Sequence, residues 1–397
     1  MTKYNFDEII DRRNTLSIKY DFAAERGKPD GLMPLWVADM DFRTAPCVTD
    51  ALRQSAEHAI FGYSDTKKNG DYFNALKNWF EERFHFTIKP EWLVKTPGVV
   101  YAISTAVKAF TEANESVMIQ TPVYYPFKES VEVNGRRLVT NSLIYAQGKY
   151  KIDFEDFENK IIEQEVKLFI LSSPHNPVGR VWTKEELTQM GELCQKYGVF
   201  VIADEIHCDF VYKGYKHTAF GTINEAFLNN AMICTSPSKT FNLAGLQTAN
   251  NFIANAKLRQ RFKSEIVKTG YSQLNTMGLV ACQAAYTSGG EWLDELLTYL
   301  AGNYVYAKEF IEGRLPRIRL AELEGTYLLW LDLNAYGFSE SELDRLITNK
   351  AGLWVDNGNI FGEEGKGFIR INAACPRSIL KKAFEQLATA LDEHNVK

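Results

Sequence analysis

Three things the sequence lacks narrow its class before any motif is considered. No apolar run approaches the ~20 residues of a spanning helix, so a helical membrane protein is excluded. The six cysteines (Cys47, Cys194, Cys208, Cys234, Cys282 and Cys375) are widely spaced and include no Cys-x-x-Cys pair. In a chain of this length that spacing implies reduced, mostly buried thiols and a cytoplasmic setting. Basic clusters are missing as well. Arg12-Arg13 and Lys67-Lys68 are the most basic patches, and with a net charge of −5 they argue against a nucleic-acid partner. The opening stretch MTKYNFDEIIDRRNTLSIKYDF carries charge throughout, which does not fit a signal peptide. His207 and Cys208 adjoin, but no second ligand pair stands at a plausible spacing, so no metal site is expected.

What remains is an ordinary soluble composition, 45% hydrophobic and 24% charged, in 397 residues, enough for a large domain with a smaller satellite. From about residue 90 to 255, short β-branched runs alternate with helical patterns. Strands are predicted at Trp92–Thr96, Ser116–Gln120, Lys167–Ser172, Phe200–Ala203, Ala231–Thr235 and Asn250–Ala254. A helix is expected over Val99–Phe110, where apolar residues recur at helical spacing. Thr183-Lys184-Glu185-Glu186 is a capping box opening a second helix. This alternation predicts an α/β fold with a mainly parallel, buried sheet, whose ligands gather at the carboxyl ends of the strands. After about residue 290 the rhythm changes to a long helix (Glu291 to about Arg314) and strands near Arg317–Leu320, Thr326–Leu333, Leu353 and Phe368–Asn372. Helices over Ser339–Asn349 and Ser378–Glu393 complete a smaller α+β domain, against which the first ~45 residues are expected to pack. The expected division is 48–290 for the large domain, and 1–47 with 291–397 for the small one.

Five features fall at predicted strand ends or inside a strand. Gly98, Val99 and Val100 sit where a strand turns into a helix, so free N–H groups there suit an anion or phosphate. Asn176, between two prolines in SSPHNPVGRVW, is held in a fixed turn with an amide that both donates and accepts. Asp204 ends a buried strand and needs a cation or hydrogen-bond donors. Lys239, in TSPSKTFNLAGL, lies among small hydroxyls with no acidic neighbour. Arg370 interrupts the apolar strand FIRIN, which suits either a carboxylate ligand or a structural salt bridge. A ligand with a phosphate, a ring cation and a carbonyl carbon would satisfy these features together, and pyridoxal 5′-phosphate has all three.

Across nearly its whole length the sequence resembles the fold-type I pyridoxal-phosphate enzymes, and most closely their bacterial cystathionine β-lyase (C–S lyase) branch. The resemblance is carried, in the family's order, by PLWVADMDF, FGY, TPGVV, TPVYYPF, SSPHNPVGRVW, ADEIHCDF, TSPSKTFNLAGL and FIRINAACPRSIL. It implies that Lys239 carries the cofactor covalently and acts as the base, with Tyr124 as a second catalytic residue stacked on the ring. Asp204 would pair with the ring nitrogen and Asn176 with the phenolic oxygen. Gly98, Val99, Val100, Ser236 and Ser238 would cradle the phosphate. Tyr63 would reach the phosphate of a neighbouring subunit in a homodimer. Arg370 would hold the α-carboxylate of a small amino-acid substrate, near Asn176 and the Ala38 backbone. His207, expected as a further cofactor contact, stands where many aminotransferases of this fold have a tyrosine, and that DEIH version resembles the lyase branch. The phosphate site also lacks an arginine shortly after Lys239, where many relatives have one. The leading expectation is therefore α,β-elimination from cystathionine or a related conjugate. Transamination on the same scaffold and a non-catalytic, partner-binding role are the alternatives.

Overall fold

In the computed structural model, which describes residues 3–63, 65, 69–271 and 273–395, residues 93–252 supply a seven-stranded sheet. Lys67 and Lys68 lie outside the described residues. The strands run Leu93–Thr96, Ala249–Phe252, Ala231–Thr235, Phe200–Asp204, Val166–Ser172, Ser116–Thr121 and Arg137–Ser142 across the sheet. Ala249–Phe252 alone runs against its two neighbours. The other contacts are parallel. Residue alternation explains why the sheet is covered on both faces. Phe169, Leu171, Val201, Ala203 and Ile233 join one core, while Leu168, Ile170, Phe200, Ile202 and Met232 join the other.

The expected elements form with small shifts at their ends. Val99–Phe110 is helical as the spacing predicts. The capping box at Thr183 opens Lys184–Lys196, with the Thr183 hydroxyl accepting from Glu186 N–H and the Glu186 carboxylate accepting in return. Arg137–Ser142 is a further strand, not expected from the sequence. It is an edge strand, four of its six residues in contact with solvent, so its sequence RLVTNS lacks the continuous apolar run of its neighbour.

The C-terminal part of the chain forms a four-stranded antiparallel sheet, ordered Arg319–Leu320, Leu328–Asp332, Phe368–Asn372 and Asp356–Asn357. Gly290–Arg314 and Arg377–Asn395 are its long helices. The strand expected near Leu353 does not join this sheet. Leu353–Trp354 pairs in parallel with Met33–Pro34, so backbone bonds tie the N-terminal segment to this C-terminal part. All six cysteines are unpaired and five are buried. Among the described residues, no helix is long and apolar enough to cross a membrane.

Candidate active site

The parallel strands deliver their carboxyl ends to one edge of the sheet, where most of the singled-out residues meet. Phe200–Asp204 is buried throughout and closes on Asp204, which is 6% exposed. Its Oδ1 accepts from Ile206 N–H at 3.1 Å. Burial raises the carboxyl from 3.8 to about 7, against the pull of that bond and of Lys239. A carboxyl in this state would gain much from a cation placed beside it.

Ala231–Thr235 hands over to a short helix, Pro237–Thr240, capped by Ser236, whose hydroxyl accepts from Ser238 N–H at 3.0 Å. Thr240 next in sequence donates to the buried Asp209 carboxylate at 2.7 Å, which pins the turn that presents Lys239. Lys239 Nζ donates to the Ala38 carbonyl at 2.7 Å. Burial first, and the Arg370 guanidinium second, bring its ammonium down from 10.5 to about 8, while Asp39 and Asp204 oppose them. An amine so poised can act as a base near neutral pH.

The turn Ser173–Pro177 carries two cis X-Pro bonds and presents Asn176, which is buried. Its carbonyl accepts from Tyr124 N–H at 3.0 Å, so two neighbouring strand ends fix each other. Its Oδ1 accepts from Arg370 Nη1, also at 3.0 Å. Arg370 is 3% exposed in the Phe368–Asn372 strand. It bonds the Trp36 carbonyl at 2.8 Å, lies over the Phe361 ring at 4.8 Å and forms an ion pair with Asp356. The two readings left open for Arg370 therefore meet in one side chain: it has a structural partner, and its Nε is buried with no hydrogen bond.

His207 is buried between Tyr327 and Phe210, at ring-centroid distances of 6.0 and 6.4 Å. Burial, and then Lys239 and Arg370, hold its imidazole neutral, and its Nδ1 has no partner. Gly98 precedes the Val99–Phe110 helix in extended conformation, and a Cβ there would meet nothing within 4 Å. The first N–H groups of that helix have no partner within it.

One cavity of about 290 Å³ is walled by Ala38, Gly98, Val99, Val100, Tyr124, Asn176, Asp204, His207, Ser238 and Lys239, among others. Its size is near the lower end for small-molecule sites. A larger groove of about 560 Å³ beside Lys108, Lys257 and Glu265 brings together only surface lysines, arginines and glutamates with their neighbours. Three expected residues stand apart from the cavity wall. Ser236 is 2% exposed, and its hydroxyl is engaged with Thr248 O at 2.6 Å and Ser238 Oγ at 2.8 Å. Of the two serines it is Ser238 that faces the cavity. Arg370 lies behind Asn176. Tyr63 is fully exposed, between the helices Pro46–His58 and Gly70–Phe84.

The support beneath Lys239 left little trace in the sequence. Tyr327 donates to the Ala38 carbonyl at 3.0 Å. Asn372 holds the carbonyls of Val37 and Asp39, each at 2.6 Å. Arg12 and the fully buried Lys19 bond the Asp39–Asp41 stretch, Arg12 reaching Asp39 at 2.6 Å and Lys19 reaching Asp41 at 2.8 Å. Asn372 had a signal, as a second polar residue in the apolar strand FIRIN. Tyr327 in GTYLLWLD had none, since an aromatic there reads as core.

Comparison with known proteins bears on this arrangement. The cystathionine beta-lyase PatB of Bacillus subtilis (strain 168) is 41% identical over 387 residues, covering 98% of this chain and 100% of the relative. Cystalysin from Treponema denticola, solved with a pyridoxal 5′-phosphate cofactor, superposes with a TM-score of 0.95 at 35% identity, over 98% of this chain and 99% of that one. A PLP-bound C–S lyase from Staphylococcus hominis gives a TM-score of 0.92 at 34% identity, over 98% of each chain. Residues 30–387 match the family described as Aminotransferase class I and II, and with relatives of this identity and coverage the chain belongs to that family.

Proposed function

We propose that this chain is a pyridoxal-5′-phosphate-dependent carbon–sulfur β-lyase, converting cystathionine or a related cysteine S-conjugate, with water, into a thiol, pyruvate and ammonia. The observation that carries this reading is a single cavity joining an amine of lowered basicity, Lys239, to a buried carboxyl in want of a cation, Asp204. The full-length likeness to proteins named as cystathionine and C–S lyases supports the same reading.

The residues present fit the cofactor. Asp204 would hold the protonated ring nitrogen, Asn176 and His207 would face the phenolic oxygen, and Tyr124 would cover the ring. Gly98, Val99, Val100 and Ser238 would bind the phosphate, with Ser236 acting through its bonds to Ser238 and Thr248. When bound, the cofactor supplies an aldehyde that exchanges amines and a cationic ring that withdraws electrons from the substrate's Cα. Arg370, already oriented by Asn176, Trp36 and Asp356, would take the substrate α-carboxylate near Ala38. Lys239 would then receive the Cα proton on Nζ, and the Cβ–S bond would break as the thiolate leaves. In the same proposal, residues 48–290 form the cofactor domain, while 1–47 and 291–397 form the smaller one. Its unpaired cysteines suit the cytoplasm.

The test is direct. Purified protein is expected to release pyruvate and a thiol from L-cystathionine with no keto acid present. Activity that needs an added keto acid would replace this reading with aminotransferase.

A homodimer belongs to this proposal. Ile60, Phe61 and Tyr63 stand exposed in one short stretch, an apolar surface that a second copy would cover. Tyr63 would then reach the neighbour's phosphate site, which lacks an arginine after Lys239. Sedimentation velocity is expected to give a dimer at micromolar concentration. Tyr63→Phe is expected to weaken cofactor binding roughly tenfold, the loss of one hydrogen bond to a charged group. A monomer with wild-type cofactor affinity in Tyr63→Phe would remove this part.

A further inference from the structure

The Ala38 carbonyl receives two donors, Lys239 Nζ at 2.7 Å and the Tyr327 hydroxyl at 3.0 Å. The carbonyls around it are otherwise occupied. Those of Val37 and Asp39 accept from Asn372 Nδ2, and that of Met40 accepts from Asn242 Nδ2 at 2.9 Å and Arg12 Nη1 at 3.2 Å. The Asp39 and Asp41 carboxylates are anchored by Arg12 and Lys19. Tyr327 is 0% exposed, edge-on to Phe210 at 4.8 Å, so its hydroxyl has one direction to point. A stretch of backbone fixed this thoroughly leaves one carbonyl for the lysine.

We propose that the Ala38 carbonyl and the Tyr327 hydroxyl form a dock for the free amine of Lys239, with Tyr327 a positioning residue for the proton transfer that this amine performs. The proposal rests on Lys239 being the reaction's base. An ammonium has three protons to place, whereas a neutral amine has two and a lone pair. With Tyr327 on the Ala38 oxygen, one acceptor position remains there for Nζ. That suits the neutral amine better than the ammonium and leaves its lone pair free. The charged groups acting on Nζ are Arg370, Asp39 and Asp204, and His207, Tyr124 and Tyr101 are the other titratable side chains of the cavity. When a substrate's Cα–H bond breaks, the proton bonds to the Nζ lone pair. The electron pair stays with the substrate, where a cationic ring held by Asp204 would stabilise it.

Tyr327→Phe removes the hydroxyl and keeps the ring. L-Alanine has no leaving group on Cβ, so exchange of its Cα proton in D₂O, followed by NMR, reports the transfer for a lyase and an aminotransferase alike. In the variant holoenzyme, saturated exchange at pH 7 is expected to slow about tenfold. The dissociation constant for L-alanine and the resting absorption spectrum should stay at wild-type values. The acid-side limb of the exchange profile, along which the base takes up its proton as pH falls, should move up by about one pH unit, because water beside Ala38 would solvate the ammonium. A second readout needs no turnover: the full chain, stripped of cofactor and mixed with pyridoxal 5′-phosphate, should show the same upward move in the pH midpoint of its colour development. Wild-type exchange with both pH midpoints unmoved would overturn the dock, and would leave the lyase reading standing if cystathionine is still cleaved. Slowed exchange in a protein that releases no pyruvate from cystathionine would keep the dock and remove the lyase reading. If circular dichroism shows Tyr327→Phe unfolded, Asn372→Ser, which releases the Val37 and Asp39 carbonyls, tests the same dock. Slower exchange there supports it, and wild-type exchange overturns it.

Discussion

Lys239→Ala is expected to release no measurable pyruvate from L-cystathionine, with turnover lower by roughly 10³ or more, and to yield no cofactor adduct that borohydride can fix. Two losses combine in this variant. The proposed covalent tether would disappear, and so would the amine proposed to take up the Cα proton; general-base catalysis alone is worth about 10²–10⁴. The fold should survive, because the truncated side chain faces a cavity and makes one hydrogen bond, to Ala38. A buried ammonium is costly to hold, as its lowered pKa reflects, so the cofactor-free variant should melt no lower than the wild type. Small primary amines added to Lys239→Ala should restore part of the activity, since the dock left by Nζ can admit them. Pyruvate release at the wild-type rate, or a normal borohydride-fixed adduct, would assign both roles to another residue. A partner-binding function that survives in Lys239→Ala would instead favour the non-catalytic alternative.

How much of this site could be read in the sequence depended on where each residue sits in the fold. Asp204 ends a buried strand and Lys239 sits in the short helix just after another, where the pattern of β-branched runs marks the position and any polar residue stands out. Asn176 was marked by its flanking prolines, and Arg370 by being charged inside FIRIN. Ser236 was harder. Its place before Lys239 suggested a phosphate contact, yet the same hydroxyl is what a helix N-cap requires, and only the fold shows it turned toward Thr248 and Ser238. The edge strand Arg137–Ser142 was invisible because a half-solvated edge does not need an apolar sequence. The pairing of Leu353–Trp354 with Met33–Pro34 was hidden because two residues on each side carry no periodicity. The support under Ala38 was hidden for a further reason: it acts largely through backbone carbonyls, which have the same chemistry at every position in a sequence. The N-terminal segment, with weak periodicity of its own, turns out to be held by Arg12, Lys19, Asn242 and Asn372, side chains far apart in the chain.

Asp204→Asn should divide the behaviour of the protein according to whether the cofactor is bound. In the chain alone, burial lifts the Asp204 carboxyl from 3.8 to about 7. Between those values the folded chain keeps a proton that the unfolded chain has released, so this group's contribution to stability falls as pH rises through the window. By pH 8 the cost is on the order of a few kcal/mol. Lys239, lowered to about 8, adds its own pH dependence only above that value, where the unfolded chain holds the extra proton and stability rises. The buried, neutral His175 and His207 contribute in the opposite sense to Asp204 at acid pH, but both proteins share them. Cofactor-free Asp204→Asn should therefore melt with the wild type at pH 5, where the carboxyl is protonated and resembles an amide. At pH 8 it should melt several degrees higher. With pyridoxal 5′-phosphate bound the order should reverse, because a ring cation then compensates the carboxylate and an amide cannot. Turnover in the variant should fall by roughly 10² or more, since a neutral ring withdraws electrons from Cα poorly. Differential scanning calorimetry at the two pH values, with and without cofactor, separates these outcomes. Equal melting of the two cofactor-free proteins at pH 8, together with near-wild-type turnover, would mean that Asp204 faces no ring cation and that the cavity holds the cofactor in another way.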